Sequence, residues 1–324
     1  MVWVLIAAGL VLLVLGGDLL VRGAVAAATR FGVSPLLIGL TLVGFGTSTP
    51  ELVTSLEAAF RGSPGVAIGN VVGSNIANIL LILGVSALLA PVAVDRHGLK
   101  RDGSVMLLGT AAVLGLLAYG QIDRWVGFVF LAALAAYLYL AYRGEKQEAS
   151  HPGPVHDAAE SLEQELKPEK VWSLPIALVA VAASLVMVVL GARLLVDGAI
   201  ELARLAGISE TVIGLTIVAV GTSLPELVTS VMAALRKQSA VAFGNVVGSN
   251  IYNLLGILGV TAAVHPLQVP GDFSLVDGVA FAASAVLLVV FSRTGDRVNR
   301  WEGGLLVALY AAYLGWLALG QTGM

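Results

Sequence analysis

The sequence contains no cysteine and little charge. Its 324 residues include 18 Lys and Arg and 21 Asp and Glu, so charged side chains form only 12% of the chain, about half the share found in soluble domains. The lack of cysteine excludes disulfides, thiolate metal sites and cysteine nucleophiles. The formal net charge of −3 is too small to indicate a strongly acidic or basic partner, and no nucleic acid is expected to bind.

Long apolar stretches dominate the composition instead. Hydrophobic residues make up 58% of the chain and the mean hydropathy is +0.93. A helix needs about 20 apolar residues to cross the hydrocarbon core of a bilayer. Ten stretches approach or exceed this length, at residues 2–21, 34–60, 65–90, 103–119, 124–142, 172–198, 208–235, 240–264, 275–292 and 301–319. The sequence therefore predicts an all-α integral membrane protein with ten transmembrane helices in a lipid bilayer.

The two halves of the chain repeat each other. Residues 46–84 and 221–259 align without gaps and are identical at 27 of 39 positions, an offset of 175 residues. Five predicted crossings per copy mean that the second copy enters the membrane from the opposite side, as in many secondary transporters. The predicted organisation is a five-helix repeat at 1–142, a linker at 143–171 and an inverted five-helix repeat at 172–324.

Basic residues are distributed unequally between the two sides of this arrangement. If the amino terminus faces outward, 14 of the 18 Lys and Arg residues fall on the inner side and 4 on the outer side. One inner loop, DRHGLKRD, is basic, whereas its counterpart in the second half, HPLQVPGD, has no Lys or Arg. The positive-inside rule therefore predicts an inner (plasma) membrane protein with both termini outside and a cytoplasmic linker, too short for a folded domain.

Two acidic residues lie in the middle of predicted membrane spans. Glu51 and Glu226 occupy equivalent positions of the two copies. An intramembrane carboxylate costs several kcal/mol, so such a residue indicates a functional site by default. Each follows a proline, Pro50 or Pro225, which interrupts a helix and frees backbone carbonyls. Oxygen ligands from carboxylates, carbonyls, hydroxyls and amides, without Cys or His, favour Ca2+, Na+ or Mg2+. We therefore expect a cation site between the two copies.

A second motif in each copy adds polar side chains that can face the glutamates. In GNVVGSNIAN, Ser74 and Asn78 lie four residues apart, and Ser249 and Asn253 lie four apart in GNVVGSNIYN. Residues with this spacing share one face of a helix. The GxxxG spacing of the glycines in these motifs is also common in close helix packing, so packing remains an alternative interpretation for the glycines.

The two pairs of motifs resemble the alpha repeats of the calcium:cation antiporter superfamily, most closely those of prokaryotic Na+/Ca2+ exchangers. The resemblance implies alternating access, in which the first and sixth helices slide against a core that holds the ions. It also implies a Ca2+ site made of two carboxylates and two backbone carbonyls, those of Glu51, Glu226, Thr47 and Thr222. The side chains implied for the flanking Na+ sites are Ser48, Ser223, Ser74, Ser249, Asn78 and Asn253.

The chain departs from several members of that superfamily at Asn253, where they carry an aspartate. The site then has two formal negative charges, which one Ca2+ would neutralise, whereas three Na+ would leave an excess positive charge. The Na+ stoichiometry therefore stays open. Because the K+-dependent branch also tends to use an aspartate here, the sequence argues against K+ coupling.

Three other functions compete with Na+/Ca2+ exchange. Two close glutamates could exchange Ca2+ for H+ in the same fold, although the hydroxyl-bearing GTSxPE motif favours the Na+ branch. A passive channel has no need for an occluded, charge-paired site. An intramembrane enzyme would need a base beside Ser48 or Ser223, and the predicted spans contain no suitable His or Lys. We therefore predict a transporter without a cofactor, and take a functional monomer as the default.

Overall fold

The computed structural model describes residues 2–149, 172–205, 221–269 and 274–321. Most of the predicted linker, including His151, His156 and Asp157, and the first part of the seventh predicted span lie outside the described residues. The described chain is almost entirely helical. Its helices are α1 (Val2–Phe31), α2 (Pro35–Thr47), α3 (Thr49–Phe60), α4 (Pro64–Leu89), α5 (Arg96–Tyr119), α6 (Arg124–Ala149), α7 (Leu174–Leu205), α8 (Leu224–Leu235), α9 (Ser239–Val264), α10 (Leu275–Arg293) and α11 (Arg300–Gln321).

Seven of these helices are long and apolar enough to cross a membrane, and α2 with α3 forms an eighth candidate that is bent by 45°. The protein is therefore a membrane protein with several apolar helices. Helix α8 is only 12 residues long, and the residues before 221, which would belong to the same predicted span, are not described. The exact number of ten crossings accordingly stays a prediction.

The long helices α1 and α7 pack against each other in opposite directions. Gly9, Gly16 and Gly23 are seven residues apart on α1, so they line one face of the helix. A methyl group on Gly9 would lie 2.7 Å from the backbone nitrogen of Leu195, and one on Gly23 would lie 2.9 Å from the side chain of Val181. The α1 glycines thus allow two helix backbones to approach closely, as small residues do in membranes.

The centre of the molecule is formed by α4 and α9. In the most apolar 18-residue stretch of each helix, 78% of α4 and 83% of α9 is buried. The corresponding buried share of the other five long helices is 28 to 39%. The largest hydrophobic cluster joins both helices through buried side chains such as Ile76 and Ile251. Helices α4 and α9 are therefore the inner layer, and the other long helices present most of their surface to lipid.

Four strands of two residues each connect the helix ends, a feature that the all-α prediction did not include. The strands are β1 (Val92–Ala93), β2 (Gln121–Ile122), β3 (Leu267–Gln268) and β4 (Arg297–Val298). β1 pairs with β4, and β2 pairs with β3, both antiparallel. Each pair therefore joins a loop of the first half of the chain to a loop of the second half.

Two buried acidic side chains outside the predicted site are fully engaged in structural hydrogen bonds. Asp102 accepts from Arg101 Nε at 2.6 Å and from the Tyr137 hydroxyl at 3.1 Å. Glu302 accepts from the backbone N–H of Asn299 at 2.7 Å and from the Thr294 hydroxyl at 2.5 Å. The Asp102 carboxylate joins α5 to α6, and the Glu302 carboxylate closes the start of α11, so neither is a candidate for ion binding.

Candidate ion-binding site

The predicted helix breaks are present at Ser48 and Ser223. Both residues leave the helical conformation in the same way, with φ −82° and ψ 10° at Ser48 and φ −92° and ψ 9° at Ser223. The proline that follows each of them occupies the start of a new helix, where its missing N–H costs no hydrogen bond. Glu51 and Glu226 consequently lie in the first turns of α3 and α8, where the helix dipole favours negative charge.

The two glutamates are held by serines from the opposite half of the chain. The Ser48 hydroxyl donates to Glu226 Oε1 at 2.8 Å, and the Ser223 hydroxyl donates to Glu51 Oε1 at 3.3 Å. All four side chains are buried, with 2% of Glu51 and 1% of Glu226 exposed. These crossed hydrogen bonds bring the two copies of the first motif together in one site.

Several oxygens of this site have no hydrogen-bond partner among the described residues. They include the second carboxylate oxygen of each glutamate, Asn78 Oδ1 and Asn253 Oδ1. Only 1% of each asparagine is exposed. A buried, unpaired polar group is costly, and a carboxylate oxygen especially so. Oxygens of this kind are the ligands that Ca2+ and Na+ prefer, so their arrangement suits a cation.

Both asparagines belong to short π-helical segments inside otherwise regular helices. Asn78 begins the segment Asn78–Leu83 of α4, and Asn253 is the second residue of Tyr252–Ile257 in α9. A π-helical turn shifts the hydrogen-bond register of the backbone and is frequent at functional sites. The two inner helices therefore carry equivalent irregularities at equivalent predicted ligands.

Two further asparagines brace the glutamates, a role that the sequence did not reveal. Asn70 Nδ2 donates to the backbone carbonyl of Glu51 at 3.0 Å and lies 2.9 Å from the Ser55 hydroxyl. In the second half, Asn245 Nδ2 lies 3.2 Å from the carbonyl of Glu226 and 2.8 Å from the Ser230 hydroxyl. The identity of all four residues across the repeat was the available signal, since each pair recurs at the same offset.

The other predicted ligands lie around this centre. The Thr47 hydroxyl is within hydrogen-bonding distance of Asn245 Oδ1, at 3.3 Å, and Thr222 is half-buried in the turn before α8. The Ser249 hydroxyl lies 3.4 Å from the carbonyl of Gly44, and Ser74 is buried one turn before Asn78. The roles of these residues as ion ligands stay predictions.

Glu57 lies on α3 with Glu51 but is not part of the candidate site. Its side chain is 55% exposed and pairs with Arg61. In the part of the chain that the structure describes, no three His, Asp or Glu side chains form a metal-binding group. Glu51 and Glu226 therefore share their site with neutral oxygens of serine, threonine and asparagine.

Apolar spans around a buried cluster of oxygen atoms define a membrane protein with a cation site. Comparison with known proteins gives the same class. The chain matches the sodium/calcium exchanger protein family over residues 1–143 and 176–319. It is 35% identical to the sodium/calcium exchanger MaX1 of Methanosarcina acetivorans, over 94% of this chain and 95% of that protein. It is also 35% identical to the inner membrane protein YrbG of Escherichia coli, over 97% and 95% of the two chains.

Solved structures give the same result for the fold. A structure of the sodium-calcium exchanger NCX_Mj soaked with Na+ and Sr2+ superimposes with a TM-score of 0.81 at 34% identity and covers 97% of each chain. The chain belongs to the sodium/calcium exchanger family, within the calcium:cation antiporter superfamily. Members of this family are membrane cation exchangers rather than enzymes.

Proposed function

We propose that the protein is a secondary active antiporter that exchanges Ca2+ for Na+ by alternating access. The observation that carries the proposal is the pair of buried glutamates, each held through one oxygen by a serine of the other half, with its second oxygen unpaired among the described residues. Two buried carboxylates repel each other unless a cation or protons neutralise them. The site is therefore stable only when cations or protons neutralise the two carboxylates, as an exchange mechanism requires.

Exchange follows from sharing these ligands between two kinds of ion. One Ca2+ would neutralise both carboxylates, and Na+ uses the same oxygen types at similar distances. The Ca2+ ligands are the side chains of Glu51 and Glu226 with the backbone carbonyls of Thr47 and Thr222. The Na+ ligands are the side chains of Ser48, Ser223, Ser74, Ser249, Asn78 and Asn253. The two sets are adjacent, because Ser48 and Ser223 bond to the same two glutamates that would hold Ca2+. A cation in one set therefore disfavours a second cation in the other through charge repulsion.

The architecture that fits this function is ten transmembrane helices in two inverted five-helix repeats, at 1–142 and 172–324. Two features support it. The equivalent helices α1 and α7 run in opposite directions, as the contacts of Gly9 with Leu195 and Gly23 with Val181 require. The strand pairs β1·β4 and β2·β3 are also equivalent to each other when the halves are exchanged, since β1 corresponds to β3 and β2 to β4 within one residue of the repeat offset. We further propose that the protein works as a monomer in the inner membrane, with both termini outside.

The test is Ca2+ uptake into liposomes that contain the purified protein. Uptake would be driven in one experiment by an outward Na+ gradient and in another by an outward H+ gradient at matched voltage. Glu51→Gln and Glu226→Gln each remove one charge without changing the size of the side chain. We expect Na+-driven uptake by the wild type and a loss of at least a hundredfold in both variants.

Glu57→Gln is the matched control, because it makes the same change on the same helix at an exposed position. It should retain nearly wild-type uptake. Uptake that responds only to the H+ gradient would assign the protein to Ca2+/H+ exchange with the same fold. Uptake that needs no counter-ion gradient would contradict antiport and indicate a channel.

A further inference from the structure

A basic pocket lies at one end of the helix bundle, away from the candidate ion-binding site. It has a volume of about 330 Å³ and is lined by Arg96, Leu99, Lys100 and Arg293. The first three residues share a face of the first turns of α5, and Arg293 is the last residue of α10. Three cationic side chains from two neighbouring helices therefore surround one apolar side chain.

The acidic side chains near this pocket leave much of its positive charge uncompensated. Asp296 pairs with Arg96, and the pKa of that guanidinium is raised by this hydrogen bond and by the negative charge. Asp95 accepts a hydrogen bond from the backbone N–H of Gly98 at 2.7 Å, at the start of α5. Among the described residues, Lys100 and Arg293 have no acidic partner. The pocket thus offers two free cations and further donors of Arg96 to an anion.

The surface beside the pocket is apolar and faces outward. Leu108 lies two turns beyond Lys100 on α5, about 12 Å along the helix, and 71% of it is exposed. On α10, Val290 and Val286 lie three and seven residues before Arg293 and are 47% and 50% exposed. Because residues at these spacings share a helix face, the exposed apolar surface begins within one turn of the pocket on α10 and one turn beyond the exposed Ser104 on α5.

We propose that this pocket binds the phosphate head group of an anionic phospholipid, with the acyl chains along the apolar surface of α5 and α10. Cationic side chains beside an apolar face match both parts of such a lipid, whereas a free phosphate would use only the first. Clusters of Lys and Arg at the membrane surface attract anionic lipids, at about a fivefold gain in affinity per basic residue. The pocket lies in a different part of the fold from the glutamates, so the proposal does not depend on which ions are exchanged.

Lipid binding can be measured on the whole purified protein in an uncharged detergent. Dioleoylphosphatidylglycerol, dioleoylphosphatidylcholine and inorganic phosphate would be titrated separately. Native mass spectrometry would count bound lipid, and thermal unfolding would report stabilisation. We expect phosphatidylglycerol to bind in preference to phosphatidylcholine and to raise the melting temperature. Lys100→Gln and Arg293→Gln should each weaken this binding about fivefold.

Arg297→Gln is the matched control, because Arg297 is an exposed cation on β4, four residues after Arg293, and does not line the pocket. It should bind phosphatidylglycerol like the wild type. The two test positions are exposed, and melting temperatures without lipid would verify that each variant folds. Equal binding of phosphatidylcholine, an equal loss in Arg297→Gln, or the same stabilisation by inorganic phosphate would each overturn the proposal.

Discussion

Asn245 contacts more residues of the candidate site than Asn70, its equivalent in the first half, does. Its side-chain nitrogen bonds to the backbone of Glu226 and to Ser230, and its oxygen faces the Thr47 hydroxyl of the other half. Asn70 makes the first two contacts around Glu51, but it is only half-buried. The two bracing residues are therefore equivalent in sequence and unequal in environment.

This difference predicts unequal costs of truncation. Asn245→Ala removes the side-chain donor to the Glu226 carbonyl and to the Ser230 hydroxyl in a fully buried place, which costs about 1 to 3 kcal/mol. Asn70→Ala should cost less, because water can replace part of what is lost. Thermal unfolding of both variants in the same detergent measures the order. A larger loss for Asn70→Ala would show that the burial difference is not what decides stability.

At the residue scale, the sequence predicted which glutamates lie in the candidate site but not which residues form hydrogen bonds with them. Glu51 and Glu226 stood out because charge is rare in these spans and because both follow a proline in a repeat. Ser55 and Ser230 were not predicted, since a serine in an apolar helix looks the same whether it faces lipid or an asparagine. Which serine bonds to which glutamate depends on how the halves cross, and sequence spacing contains no such information.

The contact between α2 and α9 depends on glycine at the element scale. A methyl group on Gly248 would lie 2.4 Å from the carbonyl oxygen of Leu40, and one on Gly244 would lie 2.6 Å from that of Leu36. Both contacts are with backbone, which cannot rotate away as a side chain can. For these two glycines the packing interpretation of the GxxxG spacing therefore applies.

We expect Gly248→Ala to force α2 and α9 apart and to cost about 1 to 3 kcal/mol, as overpacking does elsewhere. Ca2+ uptake should fall with it, because the contact between Ser249 and Gly44 lies in the same interface. Gly115→Ala is the control, since a methyl group there meets nothing within 4 Å among the described residues. Equal melting temperatures of the two variants would contradict the close approach of the helices.

Helix positions were predicted within two residues for five spans, whereas four helices extend at least seven residues farther at one end than predicted: α1, α5, α6 and α7. The largest difference is at α1. The first span was predicted to end at residue 21, whereas α1 continues to Phe31. The apolar run is interrupted at Arg22, so the predicted span ended there. A charged residue near the membrane surface does not end a helix, because its side chain can reach the water. Gly32, with φ +63°, follows its end. The two-residue strands were missed because they are too short to show an alternating pattern.

The inverted relation of the two halves makes a prediction for the whole molecule. Ser63 and Gln238 are equivalent positions, 175 residues apart, in the turns after α3 and α8. If the repeats are inverted, these turns lie on opposite sides of the membrane. Because the chain has no cysteine, Ser63→Cys and Gln238→Cys would each introduce a single reactive thiol.

A membrane-impermeant maleimide added to intact cells should label Ser63→Cys and leave Gln238→Cys unlabelled. After the membrane is permeabilised, both variants should react, which controls for burial of the thiol. Labelling of both from outside would contradict the inverted repeat. Labelling of Gln238→Cys alone would keep the repeat and reverse the predicted orientation.

The strand pairs have a mechanical consequence for the molecule as a whole. They lie between helices α4 to α6 and α9 to α11, and no described strand adjoins α1 or α7. Only 33% and 28% of the most apolar windows of α1 and α7 is buried. Displacing these two helices thus breaks no strand hydrogen bond and mainly moves surface that touches lipid. Hydrophobic mismatch with the bilayer therefore acts most directly on this pair, so membrane thickness becomes a determinant of how easily it moves.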